Sequence, residues 1–226
     1  MGITPAELSL RYPVLYHMAS YGSWPSIQEH GLLSTLELLN LYEVPEPRRT
    51  ELLTSQRKES VRLVHPVHGA ATLRDQKPLS ERSLERCLTD CDAATWYGTL
   101  NQRVFFWLDR ERLMTLMSAA EYSGKLHTVI QADTAELMRR HSERIELAHM
   151  NTGNTRPFAH PRGRSTFKRM ADYPYELRRR LPDYSAVVEL TVTDGVLDLS
   201  DFVFKVEHAA EVDGRYKAPE VLFERR

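Results

Sequence analysis

Cysteine is scarce in this chain: Cys87 and Cys91 are the only two among 226 residues. Two thiols cannot build a disulfide framework, and their scarcity accords with a reducing compartment. Their spacing in "LSERSLERCLTDC" predicts successive turns of one helix, and a metal site built on them would need further ligands nearby. Long apolar runs are missing too. Nothing reaches the roughly 18 apolar residues that a membrane-spanning helix requires. The opening "MGITPAELSLRYPVLYH" lacks a basic stretch followed by an apolar core, which speaks against a signal peptide. Position 6 is Ala, where myristoylation of Gly2 asks for Ser or Thr. The expectation is a cytoplasmic protein with no membrane partner. Net charge is also nearly absent, at -1. The molecule as a whole is therefore no attractor of polyanions, and any nucleic-acid surface must be a local patch. Internal repeats are absent.

What is present suits a single domain spanning 1–226. Hydrophobic residues make up 42% and charged residues 27%, enough to bury a core of ordinary composition. "TPAELSLRYP" predicts a helix capped by Thr4, with Pro5 in its first turn and Glu7 closing a capping box. "VLYHMA" predicts the first strand. "SWPSIQEHGLL" follows as a helix capped by Ser23 or Ser26 and stopped by Gly31. "VRLVHPVHGAATLRDQ" predicts a β-hairpin turning at "HPVHG". "RVFFWL" is strand-like, and "DRERLMTLMSAAEY" predicts a helix capped by Asp109. "HTVIQADT" predicts a strand, "TAELMRRHSERI" a helix capped by Asp133 or Thr134, and "ELAHMNTGNT" a strand running into a polar turn. Residues 156–183 are basic, proline-rich and aromatic without periodicity, which predicts a long loop with one short helix. "SAVVELTV" predicts a late strand, with another in "DGVLDLSDFVFKVEHA". Helices interspersed with strands make the class α+β.

Several residues stand out as chemistry-bearing. His17 lies on the first strand, where a histidine is most often structural. His65 and His68 could hold zinc, but no carboxylate or Cys stands beside them, so a turn shaped by Pro66 and Gly69 is the better reading. In the basic loop, Arg156, Arg162, Arg164, Lys168 and Arg169 interleave with Phe158, His160, Phe167 and Tyr173. Forked guanidinium donors suit phosphate and aromatic faces suit bases. The alternative is a solvated charged loop. Glu189 is the one carboxylate in an otherwise apolar strand, either facing water or functional.

"LYHMASYGSWPSIQEHGLLS" resembles the opening strand and helix of the DarT-type ADP-ribosyltransferases. More loosely, it resembles other small NAD-using transferases such as RNA 2′-phosphotransferases. The chain also looks like a bacterial family of uncharacterised domains carrying "HPVHG", "RVFFW" and "PRGR". The resemblance implies an ADP-ribosyltransferase-like fold, with split antiparallel β-sheets around an NAD cleft and helices at its flanks. In that superfamily a first-strand His or Arg holds ribose, a middle strand flanks the nicotinamide, and a late strand carries a catalytic Glu. His17, "RVFFW" and Glu189 stand in that order.

The roles implied follow residue by residue. Glu189 is the expected catalytic carboxylate, with Glu207 and Glu211 as competitors. His17 and Ser20 border the ribose and adenosine side. Phe106 or Trp107 packs the nicotinamide, although the superfamily's better-known pattern has Tyr there. Arg74 in "RDQKP" is the favoured pyrophosphate ligand among Arg48, Arg49, Arg57, Arg62 and Arg74. Arg162, Arg164, Phe167 and Lys168 form the expected acceptor surface for a nucleic acid or nucleotide. The implied activity is mono-ADP-ribosyl transfer from NAD, with no metal, as a toxin or defence effector with a neutralising antitoxin. The alternatives are a non-catalytic nucleotide- or nucleic-acid-binding module on the same fold, an RNA 2′-phosphotransferase-like enzyme, and a metal-dependent hydrolase.

Overall fold

The computed structural model describes residues 2–225. The first helix, Pro5–Arg11, is closed as its residues dictate. Thr4 Oγ1 accepts from the Glu7 amide and the Glu7 carboxylate accepts from the Thr4 amide. The strands, in chain order, are β1 (Val14–Ser20), β2 (Leu32–Leu33), β3 (Val61–His65), β4 (Gly69–Leu73), β5 (Arg103–Trp107), β6 (His127–Asp133), β7 (Ile145–Ala148), β8 (Lys168–Arg169), β9 (Glu189–Thr193), β10 (Gly195–Val196), β11 (Val203–Val212) and β12 (Arg215–Glu224). Eight of them form one antiparallel sheet in the order β12-β11-β6-β1-β5-β9-β7-β8.

That sheet has a seam. β1 pairs with β6 at every position from Val14↔Asp133 to Ser20↔His127. β5 pairs with β9 at every position from Arg103↔Thr193 to Trp107↔Glu189. Between β1 and β5 the ladder is reduced to Tyr16↔Trp107. Beyond that pair the strands part, leaving two four-stranded halves joined at one point. Unpaired backbone along a seam must find other partners or a ligand. One substitute is present: the His17 ring bonds the Phe105 carbonyl across the gap at 2.8 Å.

Both faces of the sheet are covered, so its strands carry apolar residues on both sides. Leu15, Ala19, Val104, Phe106, Ile130 and Leu190 belong to the main core. Met18, Val129, Leu113 and Met117 form a second cluster, which Tyr16 and Trp107 join, beneath the helix Arg110–Met117. The hairpin β3–β4 and the helices Thr35–Leu41 and Arg48–Thr54 make a small lobe around Leu39, Tyr42, Leu52, Leu63 and Leu73. This lobe lies against the seam. Ile27 and His30 of the helix Trp24–His30 line the same cavity as the lobe's Leu38 and Leu73, and that helix ends at Gly31 with φ +81°. A side chain there would meet Leu197 Cα at 2.4 Å, so glycine is required by space as well as by conformation.

The pattern reading holds for the hairpin, for β5 and β6, for the second half of the expected "SAVVELTV" strand, whose Ser185 and Ala186 are instead helical, and for the helices capped by Thr4, Asp109 and Asp133. It fails in four places. Ser23 occupies the cap position of its helix but makes no side-chain cap bond. Cys87 ends the helix Glu81–Cys87, because Leu88 turns extended, so Cys91 lies beyond that helix rather than on its next turn. Residues 156–183 are not one loop. They contain β8, a 3-10 turn at Met170–Asp172 and the helix Tyr175–Arg178, and the short helix Asp183–Ala186 begins at their end. β12 was not anticipated, because "RYKAPEVLFE" is an edge strand whose residues stay largely exposed. No helix among the described residues is long and apolar enough to cross a membrane.

Candidate functional site

A cavity of about 310 Å3 opens at the seam, and His17, Ser20, Arg74, Trp107 and Glu189 all line it. These residues come from β1, β5, β9 and the segment just after β4. Phe106 does not take part, contrary to expectation. Strand alternation sends Val104, Phe106 and Leu108 into the main core, and Phe106 is 1% exposed there. Its neighbours Arg103, Phe105 and Trp107 take the other side and line the cavity, which Val104 also borders. Trp107 stands in register with Glu189 on the adjacent strand, so the aromatic face and the carboxylate are cross-strand neighbours. Glu207 and Glu211 serve elsewhere. Glu207 is taken by Gln131, Tyr216 and Lys205, while Glu211 is taken by Ser123 and Gly214.

Glu189 is 3% exposed. Its carboxylate accepts from the Thr152 amide at 3.2 Å and from Thr152 Oγ1 at 2.6 Å. Burial pushes its pKa up to about 7, against the pull of the Thr152 bonds and the charges of Arg162 and Arg112. His17 is held in the opposite sense. The enclosing walls push it down to about 4, partly opposed by the Phe105 bond, with the Arg74 charge adding to the depression. It is therefore neutral at physiological pH. Because a carbonyl can only accept, Nδ1 carries the proton and Nε2 is left as an acceptor. Protonating His17 would destabilise the fold, so its contribution is complete above about 6.5 and lost as pH falls toward about 4.

The cationic side of the cavity is deeper than the spacing implied. Arg74 donates to the Met18 carbonyl at 2.7 Å and stands over the Tyr122 ring at 4.7 Å. Arg57 lines the same cavity and is 9% exposed. Among the described residues its partners are neutral: the Leu52 and Arg74 carbonyls, the Asn101 side chain and, at 3.4 Å, Thr35 Oγ1. Burial lowers its pKa to about 10. Arg57 is buried and Arg74 half-buried, and neither bonds a carboxylate, although the Asp75 charge acts on both from the same cavity wall; the pair still favours an anionic ligand.

The expected acceptor residues scatter. Arg162 is 2% exposed and donates to the His160, Thr152 and Asn154 carbonyls. Phe167 is buried in a cluster with Trp96, and Arg103 covers its ring at 4.5 Å. Neither can meet an acceptor. The cause is the "PRGR" turn, which folds back on the segment after the helix Glu81–Cys87. A side chain at Gly163 would meet Asp90 Oδ1 at 2.0 Å. Arg164 is exposed, and its amide donates to Asp90 at 2.8 Å. Lys168 is half-buried on β8. His65 and His68 stack on one another, 4.7 Å between ring centres. No group of three or more metal-ligating side chains occurs among the described residues.

Residues 13–203 match the family of unknown function DUF7002. The chain belongs to that family. No curated protein and no solved structure matches it. The DUF7002 region starts just before β1 and ends at the first residue of β11. It therefore contains every cavity residue named above and leaves out β12. Within this DUF7002 domain, sequence reasoning missed Thr152, Asn101 and the cavity-lining Asn151. The "NTGNT" stretch was legible only as a polar turn, because nothing local says that its threonine closes on a strand 37 residues later.

Proposed function

We propose that this DUF7002 chain is a mono-ADP-ribosyltransferase that cleaves NAD at the nicotinamide–ribose bond and passes ADP-ribose to an acceptor. The observation that carries the reading is the convergence of His17, Trp107 and Glu189, from three strands far apart in sequence, on one cavity at a split in the sheet. The split between two antiparallel halves also supports an ADP-ribosyltransferase-like fold.

Each residue has a physical task in this chemistry. Breaking the glycosidic bond leaves an oxocarbenium-like ribose, and Glu189 as a carboxylate stabilises that positive charge. His17 Nε2 accepts from a ribose hydroxyl and fixes the bent dinucleotide. The Trp107 face packs the nicotinamide, and Ser20 borders the adenosine side. Arg57 and Arg74 supply the charge a pyrophosphate needs. On the far side of Glu189, exposed His149 follows Ala148, the register partner of Glu189. Arg178 and Lys168 lie close enough for their charges to act on the His149 ring. This cationic group supports a nucleic-acid or nucleotide acceptor, in place of the buried Arg162 and Phe167. Modification of the cell's own nucleic acid would be toxic, so a neutralising partner belongs to the same proposal.

The test is direct. Purified protein is incubated with NAD labelled in its adenylate moiety, together with cellular DNA, RNA and protein. Released nicotinamide and label fixed on one polymer are expected. Absence of both refutes the reading. Binding of NAD without turnover, unchanged in Glu189→Ala, would favour a non-catalytic module instead. One observation favours a second enzymatic reading: His17, Arg57 and Arg74 around one cavity would also suit removal of a 2′-phosphate from RNA with NAD as acceptor. Consumption of a 2′-phosphorylated oligonucleotide would select it.

A further inference from the structure

The loop 149–155 is a second layer of the site that neither the family nor the resemblance assigns. Thr152 is 0% exposed, and its amide and hydroxyl both close on the Glu189 carboxylate. Its carbonyl faces the other way and accepts from Arg162 Nη1 at 2.8 Å. Arg162 continues the grip with Nη2 on the Asn154 carbonyl at 3.0 Å and Nε on the His160 carbonyl at 3.1 Å. Its plane lies over Trp96, which is itself buried and stacked on Phe167. A guanidinium with three backbone acceptors and an aromatic wall has one geometry open to it. Asn151 and Gly153, on either side of Thr152, line the cavity.

We infer that Thr152 is a clamp that fixes the Glu189 carboxylate, and that Arg162 is a positioning residue that fixes Thr152. The inference rests on the reading of Glu189 as the catalytic carboxylate. A carboxylate that must meet a developing charge at one atom gains from losing its rotamer freedom beforehand. The ionised form is also the one that accepts both Thr152 bonds, so the clamp favours the charged state that the chemistry uses. The charged groups acting on Glu189 are Arg162 and Arg112. Removing the Thr152 hydroxyl leaves both in place.

Thr152→Val keeps the side-chain shape and deletes the hydroxyl. Thr152→Ser keeps the hydroxyl. Arg162→Lys keeps the charge but cannot span three carbonyls. Two readouts are taken on the full chain. The titration midpoint of Glu189 is followed by NMR of 13C-labelled glutamate carboxyl groups, assigned by comparison with Glu189→Gln. NAD turnover is followed by nicotinamide release. In Thr152→Val the midpoint moves up, and kcat falls about 10²-fold with KM for NAD little changed. Thr152→Ser stays near wild type in both. Arg162→Lys shifts the midpoint in the same direction as Thr152→Val. A Glu189 midpoint in Thr152→Val equal to that of wild type overturns the inference. If wild type releases no nicotinamide, the transferase reading fails by itself, and the midpoint still decides the clamp. Should Arg162→Lys not fold, the Thr152 pair alone carries the test.

Discussion

Glu189→Gln should cut NAD cleavage by a factor on the order of 10³ and yet make the protein more stable at pH 8. The two effects share one cause. Glu189 is almost fully buried, and burial raises its pKa from about 4.5 to about 7. A shift of that size corresponds to about 3 kcal/mol between its two protonation states. The sign follows from linkage. Below about 4.5 the carboxyl is protonated in both folded and unfolded chains, and no penalty exists. Between about 4.5 and 7 the unfolded chain ionises while the folded one holds its proton, so stability falls as pH rises. Above about 7 the fold carries the whole cost of a buried charge. Glutamine removes the titration. Its Oε1 can still accept from the Thr152 amide, and its Nε2 can donate to the Thr152 hydroxyl. Denaturant unfolding should therefore show a gain of up to about 3 kcal/mol for Glu189→Gln at pH 8 that disappears near pH 4.5. An equal gain at both values would mean that the charge is not the cause. Nicotinamide release should fall by a factor on the order of 10³, as expected when preorganised stabilisation of a developing charge is removed. A site that is stabilised by losing its own carboxylate is one in which function opposes stability.

Legibility in the sequence followed the range of the forces involved. Caps and turns are decided within a few residues, so Thr4 with Glu7, Asp109, Asp133 and the "HPVHG" hairpin could be read locally. His17 and Glu189 stand out because each is a titratable residue in a largely apolar strand, and the structure brings both to one cavity. The hidden part is what depends on the other side of a contact. "PRGR" reads as a basic, solvated segment. Only the pairing of Leu88 with Arg162 and the aromatic wall of Trp96 and Phe167 turn its first arginine inward. Arg57 sits in a highly charged stretch and is indistinguishable there from Arg48 or Arg49, both of which remain solvent-facing in ion-pair or amide contacts. The seam itself has no sequence signature, since it is a ladder that fails to form.

The strand "RVFFW" yields the second large effect, because its two candidate aromatics separate stability from binding. Phe106 belongs to the main core with Leu15, Ile130 and Leu190, is 1% exposed, and meets the His17 ring edge-on at 5.9 Å. Phe106→Ala should cost about 3–5 kcal/mol through lost transfer energy and an unfilled cavity. Native domains have about 5–15 kcal/mol to lose, so that variant should unfold at markedly lower denaturant. Trp107 is half-buried, with one flank on Tyr16 and Met117 and the other on the cavity. Trp107→Ala should fold, with a smaller loss of stability. Its KM for NAD should rise by about tenfold, since an aromatic pair is worth about 0.5–1.5 kcal/mol beyond the area it buries. Trp107→Phe should recover much of that loss, as a flat face remains. Intrinsic fluorescence gives a check without turnover. Trp24 and Trp96 are buried away from this wall, so quenching on addition of NAD should come from Trp107 and vanish in Trp107→Phe. Quenching that survives the substitution would remove Trp107 from the nicotinamide wall. Phe105, which shares its side of β5 and lines the same cavity, would then take the role. The alternation of one five-residue strand thus decides which aromatic the fold needs and which faces the cavity.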